Sequence, residues 1–432
     1  MKDKRPNIIV ILSDDWGYGD LGCYGNKTIC TPNIDKLASE GSRYENFYVT
    51  SPVCSPSRCS FITGHYPARW GIEGHLARFD ENEERNIPNW LDPSAPSLPK
   101  ILNENGYRTA HYGKWHLGGG GGLHGHPDAP TVKSYGYDDT RTWNGNGPTW
   151  IGKDQWPHTQ YNDDDQIWAA NSSELAVDAT LDFIEAGGDE PFFINLWIKD
   201  PHTPLHPTEE QREPFKDLPE PQQTYYSVLH NADHQLGRLF DAVGEREDSD
   251  NTIIIFTSDN GPEMIREDLG TFGSTGGLKG RKRSLYDGGT RVPFIVKWPS
   301  STPKGVVNDS LMSSVDLFPT LLKLSGAKIP HGYIPDGVNV LKQLKGEVLT
   351  RSHPMMWQWP FPDPTDDLNW PSLAIRNQDF CLIMNPDLDR VELYRSEGDF
   401  SQEKECSSEY PKEVELLKEW ALNWSSINPR NS

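Results

Sequence analysis

Four apolar runs in this chain end in side chains suited to acid–base or metal chemistry. Residues 7–12 lead into Asp14-Asp15, 109–112 into Lys114 and His116, 192–198 into Asp200 and His202, and 253–256 into Asp259-Asn260. Asp14, Asp15, Asp259 and Asn260 offer hard oxygen donors with no Cys or His set at zinc spacing, which suits Ca²⁺ or Mg²⁺. Asp14-Asp15 alone could equally be a helix-capping or solvated pair; the second polar pair at another strand end favours a metal. His116 and His202, with an ordinary pKa of about 6.5, can take or give a proton near neutrality. A lone histidine is more often structural. His65, His75, His111 and His206 are read that way, with lining of a substrate pocket as the alternative, for His206 above all.

Unbroken apolar strands indicate a sheet covered on both faces. In such open α/β sheets ligands bind beyond the carboxyl ends of the strands, so the four polar ends can share one crevice. Helical spacing links Leu175, Ala176, Ala179, Phe183 and Ile184, and also Val228, Leu229, Ala232, Leu236, Leu239 and Phe240. Residues 316–324 read as a shorter helix ending at Gly326. The glycine run 118–122 is too permissive for regular structure and makes a loop at the site's edge. A Pro- and Asp-rich loop, 359–371, marks a domain junction. Beyond it, 372–375, 380–384 and 391–394 read as strands of a meander and 412–424 as an amphipathic helix. The expected architecture is α/β: a large, mixed, mostly parallel sheet sandwiched by helices over residues 1–345. Residues 346–432 are expected to add a small antiparallel sheet with one helix.

The chain has 432 residues and a formal net charge of −22. That balance argues against nucleic-acid or anionic-membrane binding, which needs clustered Lys and Arg. It argues only mildly against an anionic substrate, because the Debye length is roughly 8 Å at physiological ionic strength. A local basic cluster such as Arg281-Lys282-Arg283 can outweigh distant acids. No apolar run approaches the roughly 20 residues that span a bilayer. Residues 1–6 form a charged lead into a strand, without the apolar core of a secretory signal. The six cysteines, Cys23, Cys30, Cys54, Cys59, Cys381 and Cys406, follow no disulfide or metal-knuckle pattern. Pairing of Cys23 with Cys30, or of Cys381 with Cys406, is allowed but unsupported.

A lone cysteine is ordinarily a small packed hydrophobe. Cys54, however, opens the run Cys54-Ser55-Pro56-Ser57-Arg58-Cys59-Ser60-Phe61-Ile62-Thr63-Gly64. This run resembles the signature of type I sulfatases of the arylsulfatase-A-like kind, in the alkaline phosphatase superfamily. There the cysteine is oxidised enzymatically to formylglycine, an aldehyde. Residues 106–116, Gly-Tyr-Arg-Thr-Ala-His-Tyr-Gly-Lys-Trp-His, resemble the second sulfatase signature, with Tyr112 in place of a smaller residue. Ser13-Asp14-Asp15, Pro201-His202-Thr203-Pro204, Ser258-Asp259-Asn260-Gly261 and the block 282–289 resemble further family blocks, in family order.

The resemblance implies hydrolysis of sulfate monoesters, releasing inorganic sulfate through a formylglycine-sulfate intermediate. One hydroxyl of the hydrated aldehyde attacks sulfur, and deprotonation of the other breaks the carbon–oxygen bond to sulfate. It implies Ca²⁺, with Mg²⁺ the alternative, on Asp14, Asp15, Asp259, Asn260 and the modified Cys54. Arg58 and Lys114 would hold the hydroxyls of residue 54, and Lys282, with Lys279 as competitor, would contact sulfate. His116 would be the base that frees sulfate and His202 the group that protonates the leaving alkoxide. A further polar pocket residue, Asn144 or Asn146, is expected after the glycine run. Trp143, Trp150, Trp156, Trp357 and Trp359 suggest a sulfated carbohydrate, a glycosaminoglycan or algal polysaccharide, because such rings stack on sugar faces; loop packing is the alternative. Maturation requires a formylglycine-generating or anaerobic sulfatase-maturating enzyme. A periplasmic or extracellular site is expected, with the signal peptide absent from this chain and a cytoplasmic enzyme as the alternative. The competing functions are a phosphonate monoester or phosphodiester hydrolase of the same superfamily and a non-catalytic calcium- or glycan-binding relative.

Overall fold

The computed structural model describes residues 5–118, 128–143, 165–361 and 370–426, with the side chains of 165–169 left aside. Most of the glycine run, Asn144, Asn146, Trp150 and Trp156 lie outside the described residues. The strands along the first part of the chain are β1 (Asn7–Ser13), β2 (Ser42–Tyr44), β3 (Phe47–Tyr48), β4 (Arg108–Lys114) and β5 (Asp139–Trp143). They continue with β6 (Phe192–Trp197), β7 (Thr252–Ser258), β8 (Phe294–Lys297), β9 (Val306–Asn308) and β10 (Met312–Ser313). The last four are β11 (Met355–Gln358), β12 (Leu373–Arg376), β13 (Phe380–Met384) and β14 (Val391–Arg395).

Eight strands form one sheet in the order β5-β4-β6-β1-β7-β8-β2-β9. β5, β4, β6, β1 and β7 run parallel, β8 is antiparallel to β7 and β2, and β9 returns parallel to β2. Side chains alternate across a strand, so β1 sends Ile9 and Ile11 to one face and Ile8, Val10 and Leu12 to the other. Both faces are buried, which is why the run is unbroken rather than alternating. Ile9 and Ile11 share a core with Ala176 and Ala179 of the helix Asp165–Glu185 and with Leu236 and Leu239 of Gln222–Gly244. The opposite core takes Phe61 and Ile62 of the helix Cys54–Thr63 and Leu317 and Leu321 of Leu317–Ser325, which ends at Gly326 (φ 76°). Each buried aliphatic side chain stabilises the sheet by about 1.5–3 kcal/mol.

The register places Leu12 beside Trp197, Ser13 beside Ser258 and Gly113 beside Trp197. The carboxyl ends of β4, β6, β1 and β7 therefore lie side by side. Gly113, at φ 99°, occupies a position where an added Cβ would stand 2.1 Å from the Trp197 carbonyl oxygen. Next to it, Tyr112 is accommodated by burial and by an Oη–H bond of 2.6 Å to Asp139 Oδ2.

The antiparallel sheet β11-β12-β13-β14 follows, with the helix Pro411–Ser426 on one face through Leu417 and Ala421. Its other face packs Met355, Trp357, Ala374 and Ile383 against Tyr48, Val53, Leu285 and Tyr286. The loop expected to precede this sheet lies within it, joining β11 to β12; its residues 362–369 lie outside the described residues. Residues 355–358, Met-Met-Trp-Gln, lack both β-branching and alternation, so their strand character comes from pairing with β12. All six cysteines are free thiols. No described helix is long and apolar enough to cross a membrane.

A buried carboxylate ties the C-terminal sheet to β3, which pairs with β10, and to the segment after Lys282. Asp287 pairs with Arg376 of β12, accepts from Tyr48 Oη at 2.8 Å and lies 3.5 Å from Arg291. Removing one partner of such a group leaves an uncompensated buried charge, at about 3–5 kcal/mol. Asp287→Ala should therefore lower the urea midpoint by the equivalent of that loss; an unchanged midpoint would show that the clamp contributes nothing.

Candidate active site

The helix Cys54–Thr63 starts beside the aligned strand ends, and every one of its residues is buried. Arg58, one turn after Cys54, donates from Nε (2.9 Å) and Nη2 (2.7 Å) to Asp259 Oδ2. Its Nη2 also reaches Asp14 Oδ2 at 3.1 Å, and Nη1 donates to the Lys114 carbonyl at 2.9 Å. The Lys114 ammonium pairs with the same Asp14 oxygen. Lys282 Nζ lies 2.6 Å from Asp15 Oδ2 and 3.4 Å from Glu263 Oε2. Asn260 donates to Asp15 Oδ1 at 2.6 Å. Lys279, the competitor of Lys282, instead donates to Tyr394 Oη at 2.8 Å. All ten expected site residues thus converge on one centre, contributed by β1, β4, β6, β7, the Cys54 helix and the 281–283 loop.

Asp15, His116 and Arg283 adopt φ of 62°, 55° and 71°. Such left-handed backbone is costly without glycine, and here it occurs where chain leaving the sheet, or looping back to it, must aim a side chain into the site.

The two histidines hold defined tautomers. His116 Nε2 lies 2.9 Å from the Leu76 carbonyl, which can only accept, so Nδ1 is left as a buried, unpaired acceptor. His202 Nδ1 donates to the Thr203 carbonyl at 2.7 Å, and its Nε2 lies 3.6 Å from Asp15 Oδ2. Burial, reinforced by Lys114 and Arg58 for His116 and by Lys282 and Lys114 for His202, pushes both well below the usual histidine range. Burial also raises the Cys54 thiol, so the unmodified residue is a neutral thiol and a poor nucleophile.

The acids respond unequally. Burial would raise Asp14, but Lys114, His202 and Arg58 outweigh it and hold the carboxyl well below its ordinary range. Asp15 is raised by burial, with Asp14 and Glu263 adding to it. Burial and the neighbouring Asp14 push Asp259 up to about 7. Burial works against the Lys282 ammonium, yet Asp15 and Glu263 more than offset it and raise its pKa.

A cation fits this donor set. Oxygen atoms of Asp14 and Asp259 and the Cys54 sulfur lie within 4.8 Å of one another. Asp14 Oδ1 and Asn260 Oδ1 are buried acceptors without a hydrogen-bond partner. Oxygen donors of this kind suit Ca²⁺ or Mg²⁺, and a divalent charge would offset both the burial and the carboxylate repulsion that raise Asp15 and Asp259.

Cys54, His116, His202 and Lys282 line a cavity of about 290 Å³, together with Val53, His75, Thr203, Glu263, Met264, Arg266, Leu269 and Arg283. Sequence reasoning missed Glu263 as a pocket residue; His75, read as structural with pocket lining as the alternative, lines the cavity, and so does Arg283 of the basic cluster 281–283. Glu263, three residues beyond Asn260, carried a usable signal; His75 carried none, because a loop places it. His206 lies in a different cavity, beside Thr208 and Arg212, so its pocket reading is corrected. His111 is fully buried among Trp115, Tyr137 and Trp197, as a structural residue. Trp143, Trp357 and Trp359 are also buried rather than presented to sugars; the Trp357 indole N–H donates to the Val49 carbonyl at 2.7 Å.

Saturating Ca²⁺ should raise the thermal midpoint, by roughly 2.7 kcal/mol of stability at 100 times Kd. Asn260→Ala should remove most of that gain in a thermal melt; an identical gain in the variant would exclude Asn260 as a ligand.

Comparisons with known proteins bear on the family and the fold. A family profile described as Sulfatase matches residues 6–327, and one described as N-sulphoglucosamine sulphohydrolase, C-terminal, matches residues 280–420. The N-acetylgalactosamine-6-sulfatase of Canis lupus familiaris is 32% identical over 368 residues, 80% of this chain and 67% of that protein. The N-acetylgalactosamine-6-O-sulfatase of Bacteroides thetaiotaomicron is 28% identical over 497 residues, 96% of this chain and 92% of that one. The crystal structure of Ps i-CgsB in complex with k-i-k-neocarrahexaose superposes with a TM-score of 0.82 at 27% identity, covering 99% of this chain and 94% of that chain. With the family profile spanning most of its length and the motif residues gathered at one centre, the chain belongs to the sulfatase family and is a sulfuric ester hydrolase.

Proposed function

We propose that this sulfatase removes sulfate from a sulfated carbohydrate, using Cys54 matured to formylglycine. In this reading Ca²⁺ is bound by Asp14, Asp15, Asp259, Asn260 and the modified residue 54. The observation that carries the reading is the placement of Cys54 over the Arg58–Asp14–Lys114 network, at the floor of a cavity that also holds Lys282 and both histidines. Formylglycine hydrate would supply a hydroxyl nucleophile that a thiol buried here cannot, and the metal would supply positive charge facing the sulfate oxygens.

The chain's own residues do the rest. Arg58 and Lys114, anchored on Asp14 and Asp259, orient the nucleophilic side chain of residue 54. Lys282, steadied by Asp15 and Glu263, offers a preorganised cation to the sulfuryl oxygens. His116 accepts a proton at Nδ1, because Nε2 is committed to the Leu76 carbonyl. His202 acts as the acid in its imidazolium form: Nδ1–H stays anchored on Thr203, Nε2 carries the proton given to the departing oxygen, and the Asp14 and Asp15 carboxylates favour that form against burial and Lys282.

The names of the relatives suggest two substrate classes, sulfated N-acetylgalactosamine and carrageenan oligosaccharides. A formylglycine-generating or anaerobic sulfatase-maturating enzyme would be the maturation partner, and a periplasmic or extracellular location would suit a polymeric substrate.

Co-expression with a maturase should shift the peptide bearing Cys54 down by about 18 Da, the change from CH₂SH to CHO that creates the nucleophile. Cys54→Ala should lose on the order of 10⁴-fold or more in kcat; an unmodified thiol in an active enzyme would refute the mechanism. His202→Ala should cost roughly 10²–10⁴-fold on a sugar sulfate. On 4-nitrophenyl sulfate the loss should be far smaller, since nitrophenolate departs without a proton. Equal losses on both substrates would remove His202 from the acid role.

A further inference from the structure

His75 lines the same cavity as Cys54, His116, His202 and Lys282. Its backbone neighbour is pinned to the reaction centre: Leu76 N–H donates to Ser55 Oγ at 3.0 Å, and the Leu76 carbonyl accepts from His116 Nε2 at 2.9 Å. The ring is therefore held in register with the residue after Cys54 and with one of the site's two histidines.

Arg85 fixes its tautomer. Arg85 Nη1 lies 3.1 Å from His75 Nε2 and 3.3 Å from the His75 carbonyl. A guanidinium can only donate, so Nε2 accepts and the ring proton sits on Nδ1. Among the described residues nothing pairs with Nδ1. Burial, with Arg85 and Lys282 adding to it, pushes the ring pKa down to about 3, so the imidazole stays neutral at any working pH. With Nε2 occupied by Arg85 the ring has no free lone pair to take a proton and no charge to neutralise sulfate; it can offer one directed hydrogen bond from Nδ1. His75 is half-buried, and its Nδ1, unlike that of His116, is not among the buried unpaired atoms, so that donor is open to an incoming group.

We infer that His75 is a specificity-determining residue, its Nδ1–H donating to a hydroxyl oxygen of the sugar that bears the sulfate ester. This rests on the carbohydrate-sulfatase reading above and deepens it, by placing one recognition contact on the leaving-group side.

The test uses the full, matured chain with N-acetylgalactosamine 6-sulfate or a carrageenan oligosaccharide, whichever the wild type desulfates, and with 4-nitrophenyl sulfate, which has no sugar hydroxyls. His75→Ala should lower the ratio of kcat/KM for the sugar to kcat/KM for the aryl sulfate by about 10–100-fold, the usual consequence of losing a directed polar contact. The ratio cancels any change in the fraction of folded enzyme. His75→Asn, whose amide N–H falls where Nδ1–H was, should recover most of the ratio. His75→Gln, whose amide falls where Nε2 was, should not. A wild type that turns over 4-nitrophenyl sulfate but neither sugar would sink the carbohydrate reading and this inference with it. With an active wild type, equal losses on both substrates, or Asn and Gln variants that behave alike, would overturn the assignment of His75 alone.

Discussion

The site depends on burying one guanidinium. Arg58 has no solvent exposure, and taking such a charge out of water costs several kcal/mol unless it is paired. Asp14 and Asp259 supply the pairing, the Lys114 carbonyl takes a third donor, and the Trp197 ring lies 5.2 Å from the guanidinium carbon. Those four partners stand at the ends of β1, β7, β4 and β6. Residues four apart lie on the same face of a helix, so the contacts that fix Arg58 also fix the direction in which Cys54 points. Chemistry at residue 54 is therefore positioned by an ion network that also holds the strand ends together.

Outward from that network the charges alternate. Asp15 meets Lys282, Lys282 meets Glu263, and Glu263 pairs in turn with Arg283 at the edge of the cavity. The chain as a whole is strongly acidic, yet the pocket walls carry Lys282, Arg283, Arg266 and three histidines. Short-range attraction for an anionic ester is thus built locally, where distant surface acids are screened.

The C-terminal sheet also supports the centre. Leu285 and Tyr286, just beyond Lys282, pack into its inner face, and Asp287 is bound by Arg376 and accepted into the loop chemistry through Gln402, which receives its backbone N–H at 2.8 Å. The loop that presents Lys282 is consequently held from both sides, by Asp15 and Glu263 in the site and by the second sheet behind it. Preorganised cations of this kind need no rearrangement when charge develops on a transferring group.

Local sequence determined the strands, their two-sided burial and the polar side chains at their carboxyl ends, because a strand covered on both faces must be continuously apolar and its last residues face the crevice. It also carried the nucleophile segment and the whole set from Asp14 to Lys282, since each lies within a contiguous motif. Other features had no local signature. β11 is a strand because β12 pairs with it, and Trp143, Trp357 and Trp359 are buried because other elements cover them. His206 and His75 are both histidines in loops, and only the fold sends one to a separate cavity and the other to the reaction centre. Residue type and spacing settle what a side chain can do; burial, pairing and aim arise from contacts between segments far apart in the chain, and these only tertiary packing decides.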